Sequence, residues 1–237
     1  MSPSRETRLA ELFAKPFAHR GLHKAGITEN SRAAFRAAIQ AGHGIELDVQ
    51  ASGDGEAIVF HDYELGRLTH AQGKLAEMSV AALGAIPLKG ESDGLPALAE
   101  ILALIAGRAP LLIEVKSPGR RVAALSGAVA RALEHYIGPV AVMSFNPAVP
   151  RWFAAHAPDV LRGLVVTEEG KPQEGRLKRR LSLWWSKADF LAYDIRDLPS
   201  AFATASGLPV GTWTVRTEAQ RATAAQYADQ IIYEVTA

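Results

Sequence analysis

Short apolar runs alternate along this chain with segments in which apolar residues recur every three or four positions. The first pattern indicates buried β-strands and the second indicates amphipathic helices. Their alternation predicts a parallel sheet covered by helices, and eight parallel strands predict a closed (β/α)8 TIM barrel of the α/β class. The expected strands are 17–19, 45–49, 111–115, 140–144, 162–166, 190–193, 210–214 and 230–233, and the expected helices are 31–41, 98–106, 120–136, 149–156, 175–187 and 218–227.

One additional strand interrupts this alternation. Residues 57–60 are apolar and follow the second barrel strand through a Gly-Asp-Gly turn at 53–55. Glycine and aspartate tolerate the positive φ of tight hairpin turns, and the connection is too short for a parallel crossover. We therefore expect an antiparallel hairpin strand beside the second barrel strand. Residues 63–95 then form a short excursion over the mouth of the barrel.

The turn geometry decides where His61 lies. A two-residue tip at 53–54 pairs His61 with Glu46, and a tip at 54–55 pairs it with Asp48. Directly opposed residues share a face of the sheet and stand about 5 Å apart. Either register brings the imidazole beside a carboxylate, and only a three-residue loop would turn it to the other face.

Reactive side chains collect where the predicted strands end. Glu46 and Asp48 alternate with apolar residues, so both carboxylates point to one face of the second strand. Active sites of such barrels lie at the carboxyl ends of the strands. The side chains near these ends are His19, Arg20, Glu46, Asp48, His61, Glu114, Lys116 and Trp213.

The motifs around these residues resemble those of the glycerophosphodiester phosphodiesterase family. They occur in the family's order along nearly the whole chain, as HRG (19–21), ENS (29–31), IELDV (45–49), VFHD (59–62), IEVK (113–116), SFNP (144–147) and TWTV (212–215). The C-terminus departs from the pattern, because the family usually ends in a threonine-aspartate-x-proline motif and this chain has Tyr233-Glu234-Val235. The resemblance implies a TIM barrel that hydrolyses glycerophosphodiesters to glycerol 3-phosphate and an alcohol.

Phosphodiester hydrolysis asks for the residue types found here. Glu46, Asp48 and Glu114 offer an all-oxygen site for one divalent cation, which suits Ca²⁺, Mg²⁺ or Mn²⁺. Arg20 and Lys116 supply fixed positive charge for the phosphate. The acid-base pair is expected to be His19 and His61. Whether water or the neighbouring glycerol hydroxyl attacks is left open by the sequence.

Two residues keep alternative roles. The resemblance places Glu29 at the site, as a fourth metal ligand or as the partner of Arg20, and the alternative is that this segment only starts the next helix, with Asn30 or Ser31 as its cap. Trp213 is either a core residue or a wall that contacts glycerol. Two alternative functions also stay open, which are hydrolysis of lysophospholipids in the manner of a lysophospholipase D and noncatalytic binding of phosphoesters.

Composition adds few constraints. The 237 residues are 48% hydrophobic, which supports one TIM-barrel domain over 1–237. The formal net charge of +1 provides no global attraction for nucleic acid. There is no cysteine, no signal-peptide pattern and no apolar run of transmembrane length, so we expect a cytoplasmic enzyme with a small-molecule substrate. The sequence does not indicate an oligomeric state.

The segment 176–187 is basic and contains two tryptophans, a composition that suggests a helix on a membrane surface. However, Leu177, Leu181 and Trp184 fall at i, i+4 and i+7, the spacing of a packing stripe. We expect this stripe to pack against the barrel and Trp185 to lie on the surface.

Overall fold

The computed structural model of the chain describes residues 3–170, 173 and 175–235. Within these residues, eight parallel strands close into a barrel and helices cover its outside. The strands are β1 (Phe17–Ala18), β2 (Gly44–Ala51), β3 (Ala57–Val59), β4 (Leu111–Val115), β5 (Val140–Ser144), β6 (Leu161–Val166), β7 (Phe190–Asp194), β8 (Val210–Val215) and β9 (Gln230–Tyr233).

The helices follow the strands around the barrel. They are α1 (Arg5–Leu12), α2 (Arg32–Gln40), α3 (Val80–Gly84), α4 (Leu98–Ile105), α5 (Ala123–Leu133), α6 (Ala148–His156), α7 (Arg176–Ser186), α8 (Ala201–Ser206) and α9 (Glu218–Tyr227). Among the described residues, no helix has the length and apolar content that crossing a membrane requires.

The strand order confirms the predicted TIM barrel. Around the ring, β1 pairs with β2 and β2 pairs with β4. From β4 to β9 each strand pairs with the next one in the sequence, and β9 pairs with β1. Closure is visible in the register, where Phe17 of β1 lies between Gly44 of β2 and Ile232 of β9. Each predicted strand is found within two residues of its expected ends.

Apolar side chains fill the inside of the barrel. Phe17, Leu112, Met143 and Phe190 belong to this cluster, and α1 closes the end of the barrel opposite the reactive side chains with Leu12, which has no exposed surface. A larger apolar layer lies between the strands and the surrounding helices. Because apolar side chains fill the rest of the interior, polar side chains can gather inside the barrel only near the carboxyl ends of the strands.

The hairpin forms as predicted, but its register differs from both alternatives. Strand β3 pairs antiparallel with β2 outside the ring, with Ala57 opposite Ala51, and its Ile58 forms a single bridge with Ala97 on the other side. Ser52 and Glu56 also pair, which leaves a three-residue loop at 53–55. Contacts with the excursion hold this loop, because Gly53 N donates to Met78 O and Val80 N donates to Asp54 Oδ1 at 3.0 Å.

His61 reaches the site by another route. The strand pairing ends at Val59, so His61 belongs to the chain segment that leaves the sheet. Gln50 fixes this segment, because its Nε2 donates to the carbonyl oxygens of Phe60, His61 and Asp62 at 2.7 to 3.0 Å. The side chain of Gln50 therefore holds His61 near the carboxylates, which is the role that the predicted hairpin register was expected to play.

The packing predicted for α7 is wrong. Leu177, Leu181 and Trp184 are 72%, 56% and 69% exposed. The barrel-facing side carries Ser186, which is buried, Arg179, which pairs with Glu168 at 3.2 Å, and the partly buried Leu183. The helix thus packs through the face opposite to the apolar stripe.

Candidate active site

Three carboxylates meet inside the upper end of the barrel. The alternation of β2 turns Glu46 and Asp48 inwards, and the parallel register places Asp48 beside Glu114 of β4. One oxygen from each of the three lies within 4.8 Å of the others, and Glu46 and Asp48 are both about 1% exposed. Such a cluster of buried carboxylates repels itself unless positive charge is supplied.

The loop after β1 presents backbone and side chain to this cluster. Arg20 and Gly21 both have positive φ, at 56° and 79°. A Cβ on Gly21 would lie 2.8 Å from the Cβ of Ala34, so glycine is needed where the loop touches α2. This turn directs the backbone N–H of Arg20 to Glu46 Oε2 at 2.9 Å.

Burial and like charge act together on the acids. Burial, with the charges of Asp48 and Glu114, raises the pKa of Glu46 well above its usual range. The pKa of Glu114 is also raised, first by burial and then by Asp48. Among the described residues, no group donates a hydrogen bond to Glu46 Oε1. An oxygen of this kind, at the centre of three carboxylates, fits a hard divalent cation.

Two basic side chains already lie against the acids. Lys116 Nζ is 3.2 Å from Asp48 Oδ1 and 3.0 Å from Glu114 Oε1, while Arg20 Nε is 3.4 Å from Asp48 Oδ2. Burial alone would raise the pKa of Asp48, but Lys116 and Arg20 outweigh it and lower that pKa. Asp48 therefore stays ionised, whereas the raised pKa values of Glu46 and Glu114 mean that the nearby cations do not offset the cost of ionising these two acids.

His19 is held by a carboxylate from the last strand. Its Nδ1 lies 2.5 Å from Glu234 Oε1, and its Nε2 lies 3.9 Å from Glu46 Oε2. Burial lowers the pKa of His19, and the hydrogen bond to Glu234 opposes that shift. Burial would raise the pKa of Glu234, but hydrogen bonds from His19 and from Arg216 outweigh it and lower the pKa to about 2.

His61 has a partner of the same kind. Its Nδ1 lies 2.8 Å from Asp62 Oδ1, and Arg67 donates to Asp62 from the other side. Burial lowers the pKa of His61 while the negative charge of Asp48 raises it. In both histidines the Nδ1 contact fixes the ring and leaves Nε2 for exchange with a ligand.

These groups line one cavity of about 360 Å³. Its polar lining includes His19, Arg20, Glu46, His61, Glu114 and Lys116. Trp213 and Phe145 also line it and contact each other edge to face at a centroid separation of 5.5 Å. The cavity therefore joins a charged wall that suits a phosphate to an apolar wall that suits carbon atoms.

A sequence model described as the glycerophosphoryl diester phosphodiesterase family matches residues 19–235, which include every candidate residue of this cavity. The chain belongs to this family. The resemblance found in the motifs is thereby confirmed.

Individual family relatives cover less of the chain. It is 35% identical over 131 residues to a glycerophosphodiester phosphodiesterase of Bacillus altitudinis, spanning 52% of this chain and 53% of that protein. It is 31% identical over 158 residues to one of Caldanaerobacter subterraneus, spanning 62% and 65%. The chain thus matches just over half the length of the first relative and just under two thirds of the second.

The fold is also found in solved structures. An Oleispira antarctica phosphodiesterase, determined in complex with the product sn-glycerol-3-phosphate, superposes with a TM-score of 0.75. The alignment covers 92% of this chain and 91% of that chain, at 22% sequence identity. At this level of identity the similarity supports the shared barrel architecture.

The two open assignments can now be placed in the family barrel. Ser31 caps α2, because its side chain accepts a hydrogen bond from Ala34 N. Glu29 lies in ion pairs with Arg20, at 2.7 Å, and with Arg67. Trp213 lines the cavity and donates from Nε1 to Ala192 O, so one edge is anchored while the ring forms a wall.

The motif search missed the two carboxylates behind the histidines. Asp62 was within a quoted motif but had no assigned role, and Glu234 lies in the C-terminal segment where the chain departs from the family pattern. The available signal was positional, because an acid directly after the last barrel strand must lie beside the end of the first.

Proposed function

We propose that this protein hydrolyses glycerophosphodiesters to glycerol 3-phosphate and an alcohol. The observation that carries the proposal is the cavity lined by two histidines and by Arg20 and Lys116, with the cluster of three carboxylates at its wall. Family membership supports the same reaction. The product named for the Oleispira antarctica protein also fits this reaction.

Glu46, Asp48 and Glu114 would hold one divalent cation. The fit rests on their spacing and on the orphaned Glu46 Oε1. All ligands are oxygen atoms, which favours Ca²⁺, Mg²⁺ or Mn²⁺. When bound, the cation supplies positive charge for the nonbridging oxygens of the phosphodiester.

Arg20 and Lys116 bind and orient the phosphate. Both line the cavity, and both are fixed from behind by carboxylates, Arg20 by Glu29 and Lys116 by Glu114. Burial would lower the pKa of Lys116, but Asp48 and Glu114 outweigh it and raise that pKa, so the ammonium keeps its proton at neutral pH. Fixed positive charge lowers the barrier because it needs no reorganisation as negative charge develops on phosphate.

His19 and His61 move the two protons. One takes a proton at Nε2 from the attacking hydroxyl, and the other gives a proton from Nε2 to the departing alkoxide oxygen. The attacking hydroxyl is that of water or that of the neighbouring glycerol carbon, and the second route forms a cyclic phosphate first. The acidic partners at Nδ1 stabilise the charged form of each ring during the step.

The test measures glycerol 3-phosphate release from glycerophosphocholine with a coupled assay. Chelator should abolish turnover, and adding back Mg²⁺, Ca²⁺ or Mn²⁺ separately should identify the ion. His19→Ala and His61→Ala should each lower the rate by ~10²–10⁴-fold. A substrate whose leaving group needs no protonation should restore only the variant that lacks the acid. Full turnover in chelator, or near-wild-type rates of both variants on glycerophosphocholine, would refute the mechanism.

Hydrolysis of lysophospholipids is a second candidate, which one feature favours. Phe145 is 48% exposed at the edge of the active-site cavity and also lines a neighbouring cavity of about 260 Å³ with Leu164 and Val166. An acyl chain could continue from one cavity into the other. Phe145→Ala should then lower kcat/KM for a lysophospholipid by a larger factor than kcat/KM for glycerophosphocholine.

A further inference from the structure

Helix α7 turns large apolar side chains towards solvent. Leu177, Leu181 and Trp184 are more than half exposed, and Trp185 is 43% exposed. They come from a single helix of 11 residues and therefore form one contiguous surface. Single exposed apolar residues are common, whereas a contiguous exposed group of this size indicates a surface that binds something.

The apolar residues form a ridge opposite the face that packs on the barrel. An α-helix advances about 100° per residue, which places Leu177, Leu181 and Trp184 within roughly 60° of one another. Ser182 and Ser186, on the packing side, centre roughly 160° from this ridge. Ser186 is fully buried. The ridge is thus the part of α7 that protrudes furthest from the protein.

Basic residues flank the ridge on both sides. By the same helical geometry Lys178 lies on one side, and Arg176, Arg180 and Lys187 lie on the other. The ammonium group of Lys187 stands 5.3 Å from the centre of the Trp184 ring. The sequence contains no Asp or Glu from residue 175 to residue 188.

We propose that α7 docks this protein on the surface of an anionic phospholipid bilayer. The ridge, with Trp184 and Trp185, enters the boundary between headgroups and acyl chains, and the flanking cations bind lipid phosphates. Tryptophan suits this boundary because its ring is largely apolar and its N–H is polar. Long basic side chains reach the headgroups while their methylene groups stay in apolar surroundings.

Charge argues against a second copy of this chain as the partner. A twofold-symmetric contact would place the same surface on both copies, so the cations of one α7 would face those of the other. Like charges at that distance repel, whereas an anionic bilayer attracts each Lys or Arg near its surface. The charge pattern therefore complements a lipid surface.

The position of α7 gives this docking a consequence for the active site. Gly175, Lys178 and Ser182 line the smaller cavity together with Phe145, and Phe145 also lines the active-site cavity. Of these residues Lys178 also flanks the ridge, so docking would bring the bilayer to one edge of the smaller cavity. Docking itself is a binding property and does not depend on the function proposed above.

Vesicle sedimentation with the full chain tests the proposal. We expect the protein to sediment with vesicles of phosphatidylcholine and phosphatidylglycerol, and to stay in solution with phosphatidylcholine alone or at high salt. Tryptophan fluorescence should shift to shorter wavelength on binding. The double variant Leu181→Ser/Trp184→Ala and the charge reversal Arg180→Glu should each weaken binding roughly tenfold or more.

Ile137→Ser provides a matched control, because Ile137 is 87% exposed and belongs to the loop between α5 and β5. It should bind vesicles as the wild type does. All these positions are exposed, so melting temperatures and turnover of glycerophosphocholine should be unchanged.

Two results would overturn the proposal. One is equal binding of anionic vesicles by the wild type and the Leu181→Ser/Trp184→Ala variant, or no binding by either. The other is a dimer in light scattering that the double variant converts to monomers, because the ridge would then be an interface between copies of the chain.

Discussion

Replacing Glu46 by glutamine should make the protein less active and, without a cation, more stable. Each pair of unit charges in the cluster repels by about 3.5 kcal/mol or more at the observed separations of up to 4.8 Å, with an effective dielectric constant of about 20. Glutamine removes the charge of Glu46 and its repulsion of Asp48 and Glu114. It keeps an oxygen that can accept the hydrogen bond from Arg20 N.

The sign of the pH dependence follows from the raised pKa of Glu46. Its folded pKa lies above the unfolded value of 4.5, so the folded state binds the proton more tightly. Below that value the wild type has its full stability. As the pH rises, this residue lowers the free energy of unfolding by up to about 1.4 kcal/mol per pH unit until the folded carboxyl ionises. The glutamine variant lacks this slope, so its advantage in chelator should grow with pH.

Urea unfolding in chelator between pH 5 and pH 8, followed by the same series with a divalent cation, measures both effects. A cation at 100 times its Kd stabilises the wild type by about 2.7 kcal/mol, and Glu46→Gln should gain much less. Glu77→Gln is the control, because that side chain is 69% exposed and its replacement should change stability by less than about 0.5 kcal/mol. A Glu46→Gln variant no more stable than wild type at pH 8 in chelator, or one with full turnover, would refute the reasoning.

Three further outcomes are expected. Glu234→Gln keeps a hydrogen bond to His19 but removes the negative charge that stabilises the charged imidazole. One limb of the pH–rate profile should therefore move to lower pH, and kcat/KM should fall about tenfold. Glu234→Asp keeps the charge and should retain the profile. Leu12→Ala should lower the free energy of unfolding by about 2–5 kcal/mol in urea titrations, against less than about 0.5 kcal/mol for Ile137→Ala. Glycerophosphocholine, glycerophosphoethanolamine and glycerophosphoglycerol should differ by less than about a hundredfold in kcat/KM, because the identified charges bind the shared phosphate; a larger preference would reveal a head-group pocket.

The barrel could be predicted from the sequence because its strands are buried on both faces. Parallel strands of this kind appear as nearly continuous apolar runs, and polar residues within them stand out. Glu46 and Asp48 were conspicuous for that reason, and so was Glu114 in the next barrel strand. Helix α1 was missed because its residues were considered only as a targeting segment, although Ser4 caps it and Leu12 is buried.

The orientation of α7 could not be predicted from periodicity. The pattern shows which residues share a face but not which face points inwards. Inside the fold, Glu168 is buried and accepts hydrogen bonds from Tyr193 and Ser200. Arg179 joins this polar group from α7, so the side of the helix that carries Arg179 faces the barrel. The partner that decides the orientation comes from other strands and helices.

The hairpin register shows the same limit at shorter range. Turn chemistry favoured a two-residue tip, but the loop in the structure has three residues because the excursion binds it. Asp54 accepts hydrogen bonds from Ser52 and from Val80 N, and Gly53 donates to Met78 O. Contacts more than 20 residues away along the chain thus outweighed the local preference of the turn.

The two histidines share an arrangement that explains how each ring can be fixed and still reactive. Glu234 binds His19 and is itself bound by Arg216 at 2.6 Å. Asp62 binds His61 and is itself bound by Arg67.

Each arginine stabilises the ionised carboxylate and lowers its pKa, so the proton between carboxylate and imidazole stays on Nδ1. With Nδ1 fixed in this way, Nε2 faces the substrate as a lone pair in the base and as an N–H in the charged acid. Arg67 also binds Glu29, which binds Arg20, so one continuous chain of ion pairs joins the partner of His61 to the side chain proposed to hold the phosphate. A change at Arg67 should therefore disturb both the proton transfer at His61 and the position of Arg20, although Arg67 does not line the active-site cavity.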